Sequence, residues 1–369
     1  MNPQAEFCPN EKCADRGKIG QGNIGVHSQQ EQRYICHSCG KTFSMSKGTA
    51  VYGIKRGAEV FILVVTLLAF GCPVQAIVMA FGLDERTVRS WQLKAGHQCQ
   101  EVHEHIVGKS QLDLGQVQAD EIKVKTQKGT IWMAMAMMVS TRLWLGGVVS
   151  AKRDKHLIRA LASKIRGVAL CRSLLLAVDG LASYVDAFQK AFRTPLPTGK
   201  SGRPRLIAWP GINIVQVVKR RSPEGLSIER RIVQGEPQPV ECCLQATQNG
   251  GVINTAFIER LNATFRQCLA CLARRTRHLA RHAQTLEASM FLVGAVYNFC
   301  TDHHSLRLPL WITQRRCHWV QRTPAMAAGL TDHRWSVAEL LTYKIPPPPF
   351  VPPRRRGRPP KRVLQEAFA

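Results

Sequence analysis

Residues Leu174-Leu-Leu-Ala-Val178 form an unbroken apolar run that stops at Asp179-Gly180. A strand with one wet face alternates apolar and polar residues, so a continuous run needs cover on both faces. That predicts a buried strand in an α/β sheet with helices on either side. Upstream, residues 117–122, 131–139 and 144–149 read as strands. Residues 154–165 read as a helix carrying Leu157, Ile158, Leu161 and Ile165 on one side. Three strands, a helix, a fourth strand and then further helices are thus expected, with shorter strands near 206–209 and 212–218.

This is the element order of an RNase H-like core, and its acidic residues fall where that fold would use them. Asp120 lies on the first strand and Asp179 ends the fourth. The two strands are expected to be neighbours, so both carboxylates converge. A third carboxylate must come from a later helix. Glu259 sits in the first turns of the segment 254–266, with Asn262 and Arg266 at i+3 and i+7 on the same face, which is expected to offer one metal ligand and, through Asn262 and Arg266, polar contacts to a DNA phosphate. Such hard oxygen ligands suit Mg²⁺ or Mn²⁺, and a pair of these ions can activate a water or 3′-hydroxyl and stabilise a leaving oxygen. Glu121 should point to the opposite face of its strand. The plainer reading of Asp179 is a turn residue before Gly180.

Cys8 and Cys13, and Cys36 and Cys39, form two pairs about twenty residues apart, with Gly40 after the second pair and Tyr34 and Phe43 flanking it. Four thiolates in this spacing predict a Zn²⁺ ribbon. The segment is too short to bury much core, so metal would explain its folding. Cys268 and Cys271, and Cys242 and Cys243, are read instead as buried small residues.

Residues 58–70, 73–81 and 85–95 predict three helices, with Asp84 as N-cap of the third. This is a helix-turn-helix layout. Val88 and Trp91 should face inward, while Arg86, Thr87, Arg89, Ser90 and Gln92 are offered to DNA. Segment 60–82 is apolar, but Pro73, Gln75 and its glycines favour two short buried helices over a membrane span.

The formal net charge is +26, with 51 Lys and Arg against 25 Asp and Glu and a pI near 10.1. Such an excess calls for a polyanion partner. Arg266, Arg274, Arg275, Arg277, His278, Arg281 and His282 are expected to crowd one continuous helix, with Leu269, Leu272 and Leu279 on its buried side and phosphate on the other. Prolines over 345–353 predict a stiff linker. It leads to Arg354-Arg-Arg-Gly-Arg-Pro-Pro-Lys361, where Arg356 and Arg358 suit a narrow A·T minor groove as an AT-hook does. Residues 1–6 are polar and show no apolar leader, and the thirteen cysteines make no evident disulfide framework. A cytoplasmic, nucleoid-associated protein of a prokaryote is expected, with no membrane partner.

The segments Gln118-Ala-Asp-Glu-Ile122, Ala177-Val-Asp-Gly180, Phe257-Ile-Glu-Arg-Leu-Asn262 and Leu272-Ala-Arg-Arg-Thr276 resemble bacterial insertion-sequence transposases of the DDE superfamily. Within them, the chain is most similar to the group typified by the first-numbered insertion sequence. The resemblance spans about residues 5–305. It implies Asp120, Asp179 and Glu259 as the catalytic triad, double-stranded DNA with terminal inverted repeats and target DNA as partners, and a homo-oligomer on DNA. Family members often carry an aromatic residue after the first carboxylate, where this chain has Ile122-Lys123, and its stretch between Asp179 and Glu259 is long. The alternative is a non-catalytic, sequence-specific DNA-binding protein derived from a transposase. The expected domains are a zinc ribbon at 1–50, a helix-turn-helix at 51–110, the catalytic domain at 111–305, a helical appendage at 306–344 and the linker and tail at 345–369.

Overall fold

A computed structural model describes residues 1–127, 129–196, 202–223, 225–313 and 316–352. Arg356 and Arg358 lie outside the described residues. The chain divides into two units: Met1–Tyr52 with the segment from Lys344 onward, and Gly53–Tyr343.

In the first unit, β1 (Ile24–Ser28), β2 (Arg33–Cys36) and β3 (Thr42–Ser44) form an antiparallel sheet. Tyr34 pairs with Phe43 across β2 and β3, and these rings with Ile24 and the cysteines make the small core. Residues 344–347 are half-buried here and do not act only as a linker. The Lys344 ammonium bonds both Glu6 carboxylate oxygens at 2.6 Å and lies 5.8 Å from the Tyr34 ring. Extended proline backbone has no internal hydrogen bonds, so it can lie flat on a neighbouring surface.

The second unit begins with α1 (Ala58–Ala69), α2 (Val74–Phe81) and α3 (Glu85–Ile106). Asp84 caps α3 through the Arg86 amide at 2.8 Å. The expected end of α3 near residue 95 is wrong. Val88, Trp91, Ala95, Cys99 and Val102 continue one buried stripe, so the helix runs on to Ile106. That extra length packs on α8 (Ala283–Ala295), so the helical segment and the sheet form one body with no boundary at residue 110. Gly96 sits at the crossing, where an added Cβ would lie 2.3 Å from the Ala288 carbonyl oxygen. Nor are α1 and α2 simply buried: Leu63, Leu67, Phe70 and Met79 are exposed.

The sheet contains β4 (Gln116–Thr126), β5 (Gly129–Met138), β6 (Trp144–Ser150), β7 (Leu174–Asp179), β10 (Ile212–Ser222) and β11 (Gly225–Gln234), in the order β11-β10-β7-β4-β5-β6. β8 (Arg193–Pro195) and β9 (Leu206–Ala208) pair separately. β4, β5 and β6 form an antiparallel meander, whereas β7 is parallel to both β4 and β10. The apolar run of β7 is fully buried, as its composition requires. α4 (Lys155–Val168) and α5 (Ala182–Ala191) cover one face; α6 (Pro237–Gln248), α7 (Ala256–Cys268) and α8 cover the other.

Two further expectations fail. The basic segment is not one helix: α7 ends at Cys268 and Leu269 turns to extended backbone. Leu269 and Leu272 are buried near β4, Ala280 bridges to Thr126, and Leu279 is exposed. The closely spaced arginines beyond repel one another in helical geometry, which favours this break. The appendage at 306–344 is also not purely helical. β12 (Leu308–Thr313) and β13 (Arg316–Val320) form a hairpin before α9 (Pro324–Ala327) and α10 (Val337–Thr342), because β-branched and aromatic residues there favour extended chain. Among the described residues no helix is long and apolar enough to cross a membrane.

Candidate metal centres and nucleic-acid interface

The pairing of β4 with β7 places Gln118 opposite Ala177. Two residues further along both parallel strands, the same register aligns Asp120 with Asp179. Adjacent strands in register present side chains on the same face. Asp120 is held by the Glu121 amide at 2.8 Å and by the Asn262 side-chain amide at 2.7 Å. Asp179 accepts the Leu181 amide at 2.9 Å.

Gln118 joins the strand to α7. Its carbonyl oxygen accepts the Phe257 and Ile258 amides at 3.0 Å each, and its own amide donates to the Asn254 carbonyl at 2.8 Å. The first turn of α7, which carries Glu259, is thereby tied to the strand that carries Asp120. Asp120, Asp179 and Glu259 line one open cleft of about 480 Å³, together with Arg153 and Lys219.

The closest acidic set differs from the expected one. Carboxylate oxygens of Asp120, Glu121 and Asp179 lie within 4.8 Å of one another and could hold a divalent cation. Glu259 borders the same cleft, but its carboxylate is ion-paired with Lys219 and accepts the Thr255 hydroxyl at 2.7 Å. Glu121 does leave from the opposite face, where Tyr184 donates to it at 2.7 Å and Arg153 pairs with it. Arg153 also reaches Asp179 at 3.2 Å, drawing Glu121 and Asp179 together around the strand end. Strand alternation gave the right direction for Glu121 but no hint of this reach. Arg153, Lys219 and Tyr184 carried no sequence signal of their own, and Gln118 entered only as the first residue of the segment 118–122.

Charge crowding shows in the acidity of these groups. Burial, then the neighbouring Glu121, Asp179 and Glu259, push the Asp120 carboxyl up to about 7, against the pull of the Glu121 amide. Burial and Asp179 also raise Glu121, partly offset by Tyr184 and Arg153. Burial would raise Glu259 as well, but Lys219 and Thr255 hold it below the ordinary value. A cation fits this arrangement chemically: it would compensate crowded carboxylates, and the buried Asn262 carbonyl oxygen has no hydrogen-bond partner.

The four ribbon cysteines also come together. Sγ atoms of Cys8 and Cys39 lie 3.7 Å apart, and those of Cys13 and Cys36 lie 3.8 Å apart. Tetrahedral bonds of about 2.3 Å require sulfur separations of about 3.8 Å. The set could therefore hold zinc. Gly40, at φ +67, turns its amide onto the Cys36 carbonyl at 2.8 Å and closes the knuckle.

The residues offered to DNA separate into groups. Arg86 and Ser90 are exposed on α3, while Thr87 is half-buried and Arg89 pairs with Glu85. Gln92 turns inward and donates to Ser289 of α8 at 3.1 Å. Asn262 is buried against Asp120, so it cannot be a surface phosphate contact. Arg266 is half-buried near Asp120, and Arg274, Arg275 and Arg277 are exposed beyond α7. Cys243 is buried as expected, whereas Cys242 is exposed and Cys268 and Cys271 are half-buried. Compared with known proteins, the chain matches no family model and no curated protein.

Proposed function

We propose that the chain is a DNA transposase with an RNase H-like core, cutting and joining DNA strands at the Asp120–Asp179 cleft. The order β6-β5-β4-β7-β10, with an antiparallel meander followed by parallel strands, supports that fold. The observation that carries the function is the meeting of Asp120, within β4, and Asp179, at the end of the adjacent parallel β7, in one cleft that Glu259 enters from α7. Asp120 and Asp179, with Glu259 or Glu121, would hold Mg²⁺ or Mn²⁺, which supplies nucleophile activation and leaving-group stabilisation. Gln118 and Asn262 fix the carboxylates before DNA arrives. Arg266 and Arg274–Arg277 supply positive charge for the phosphates entering the cleft, and Arg86 and Ser90 on α3 face the groove of the bound duplex. Element ends with inverted repeats are the proposed substrate.

One observation favours a second reading, a DNA-binding protein without catalysis. Lys219 on Glu259 and Arg153 on Glu121 and Asp179 already offset part of the charge of the acidic cluster internally.

Incubation with Mn²⁺ and DNA from either side of the gene separates the two. Nicking and joined products are expected, and Asp179→Asn should slow both by at least ~10³-fold, about 4 kcal/mol of barrier, while leaving DNA affinity intact. Duplex binding with no metal-dependent cleavage would favour the second reading.

A further inference from the structure

The β12–β13 hairpin exposes Leu308, Leu310, Trp311, Ile312, Trp319 and Val320, with Trp311 65% accessible. Among the described residues its strands pair mainly with each other and have no extensive packing against another element. Its base is fastened where the His303 amide donates to the Arg322 carbonyl at 3.0 Å and Thr323 is buried. A two-stranded ribbon with apolar residues on both faces is marginal in water.

α1 has the complementary deficiency. Its sequence, Ala58-Glu-Val-Phe-Ile-Leu-Val-Val-Thr-Leu-Leu-Ala69, is apolar all round, as in helices covered on every side. Phe61, Val64, Val65 and Leu68 are buried, yet Leu63, Leu67 and Phe70 lie exposed at four- and three-residue spacing along another stripe.

We propose that the β12–β13 arm of one copy covers the exposed stripe of α1 on a second copy, so that two chains exchange arms. Both surfaces lie on the same chain, so a reciprocal exchange closes under twofold symmetry and leaves neither unpaired. Glu59 is the only charged residue of α1, so the stripe adds almost nothing to the repulsion between two basic chains. Burying one face of each arm on each stripe removes on the order of 1,000 Å² in total, the lower bound for a specific interface. The arrangement needs neither DNA nor chemistry at the acidic cleft.

The test is sedimentation velocity of the full chain at micromolar concentration without DNA. Wild-type protein should sediment as a dimer, as should Asp179→Asn, so failure here is separable from failure of the nuclease reading. Leu310→Glu on the arm and Leu67→Glu on α1 should each give monomers. An equimolar mixture of the two should form a dimer again, at least ~10-fold weaker than wild type, because one arm and one stripe remain intact. Retained zinc content and unchanged thermal transitions would show that both variants fold. A monomeric wild type, dimers that persist in either variant, or a mixture that stays monomeric would overturn the proposal. A monomer whose DNA affinity falls with Leu310→Glu would assign the arm to DNA instead.

Discussion

Replacing Asp120 by Asn should stabilise the metal-free protein, although it removes a residue proposed for catalysis. In the fold, burial and three neighbouring carboxylates hold the Asp120 carboxyl near 7, whereas the ordinary value is 3.8. At 1.36 kcal/mol per pH unit, ionised Asp120 costs the fold on the order of 4 kcal/mol. The sign follows from proton counting. Between pH 4 and 7 the unfolded chain has lost this proton and the folded chain has kept it, so stability falls as pH rises. Above 7 both states are ionised and the penalty is constant. Asn carries no charge, but one of the two donors now on Asp120, the Glu121 or Asn262 amide, loses its acceptor at about 1 kcal/mol. The net gain above pH 7 is then about 2–3 kcal/mol, or roughly 5 °C in the midpoint of this unit. It should fade to nothing near pH 5. Thermal unfolding at pH 8 and pH 5, in magnesium-free buffer without a chelator so that thiolate-bound zinc stays in place, measures the difference. Millimolar Mg²⁺ or Mn²⁺ should raise the wild-type midpoint at pH 8 and leave the variant unmoved. A variant less stable than wild type at pH 8, or a wild type indifferent to both ions, would refute the reasoning.

Gln118→Leu should lower stability by about 2–3 kcal/mol, because two α7 amides lose a buried acceptor; an unchanged denaturation midpoint would mean that α7 needs no such tie. Arg153→Met leaves Glu121 buried without its counter-charge and should cost about 3–5 kcal/mol, while Arg153→Met with Glu121→Gln should recover most of the loss; equal losses in the single and double variants would deny the coupling. Elemental analysis should find a single zinc ion per chain, lost in Cys36→Ser together with on the order of 10 kcal/mol of metal-derived folding energy for the ribbon; full zinc content in the variant would exclude Cys36 as a ligand.

Much of the framework was legible because it rests on local chemistry. The run 174–178 demanded cover on both faces, and β7 has it. Cysteine spacing alone brought Cys8, Cys13, Cys36 and Cys39 together, and Asp84 announced the start of α3. The misses arise from long-range partners. The end of α3 depends on α8, nearly two hundred residues later, which also pulls Gln92 inward. Gln118 is an ordinary polar residue until α7 arrives to use it. Glu121 joined the acidic set through partners from other elements, since Arg153 pairs with both Glu121 and Asp179 and Tyr184 donates to Glu121. Asn262 was read as facing phosphate because helical periodicity gives a face without saying what lies opposite it.

The seating of α3 on α8 has a mechanical consequence. Its 22 residues make a stiff rod of about 33 Å, seated on α8 along its length and packed by α1 and α2 near its start, where Arg86 and Ser90 stay exposed. If those exposed residues grip a duplex, the separation between gripped bases and the acidic cleft is set by a ruler of about one turn of B-DNA. Such a ruler tolerates little slack. Spacing between recognised sequence and break would then be counted in fixed base-pair steps rather than left to a supple hinge.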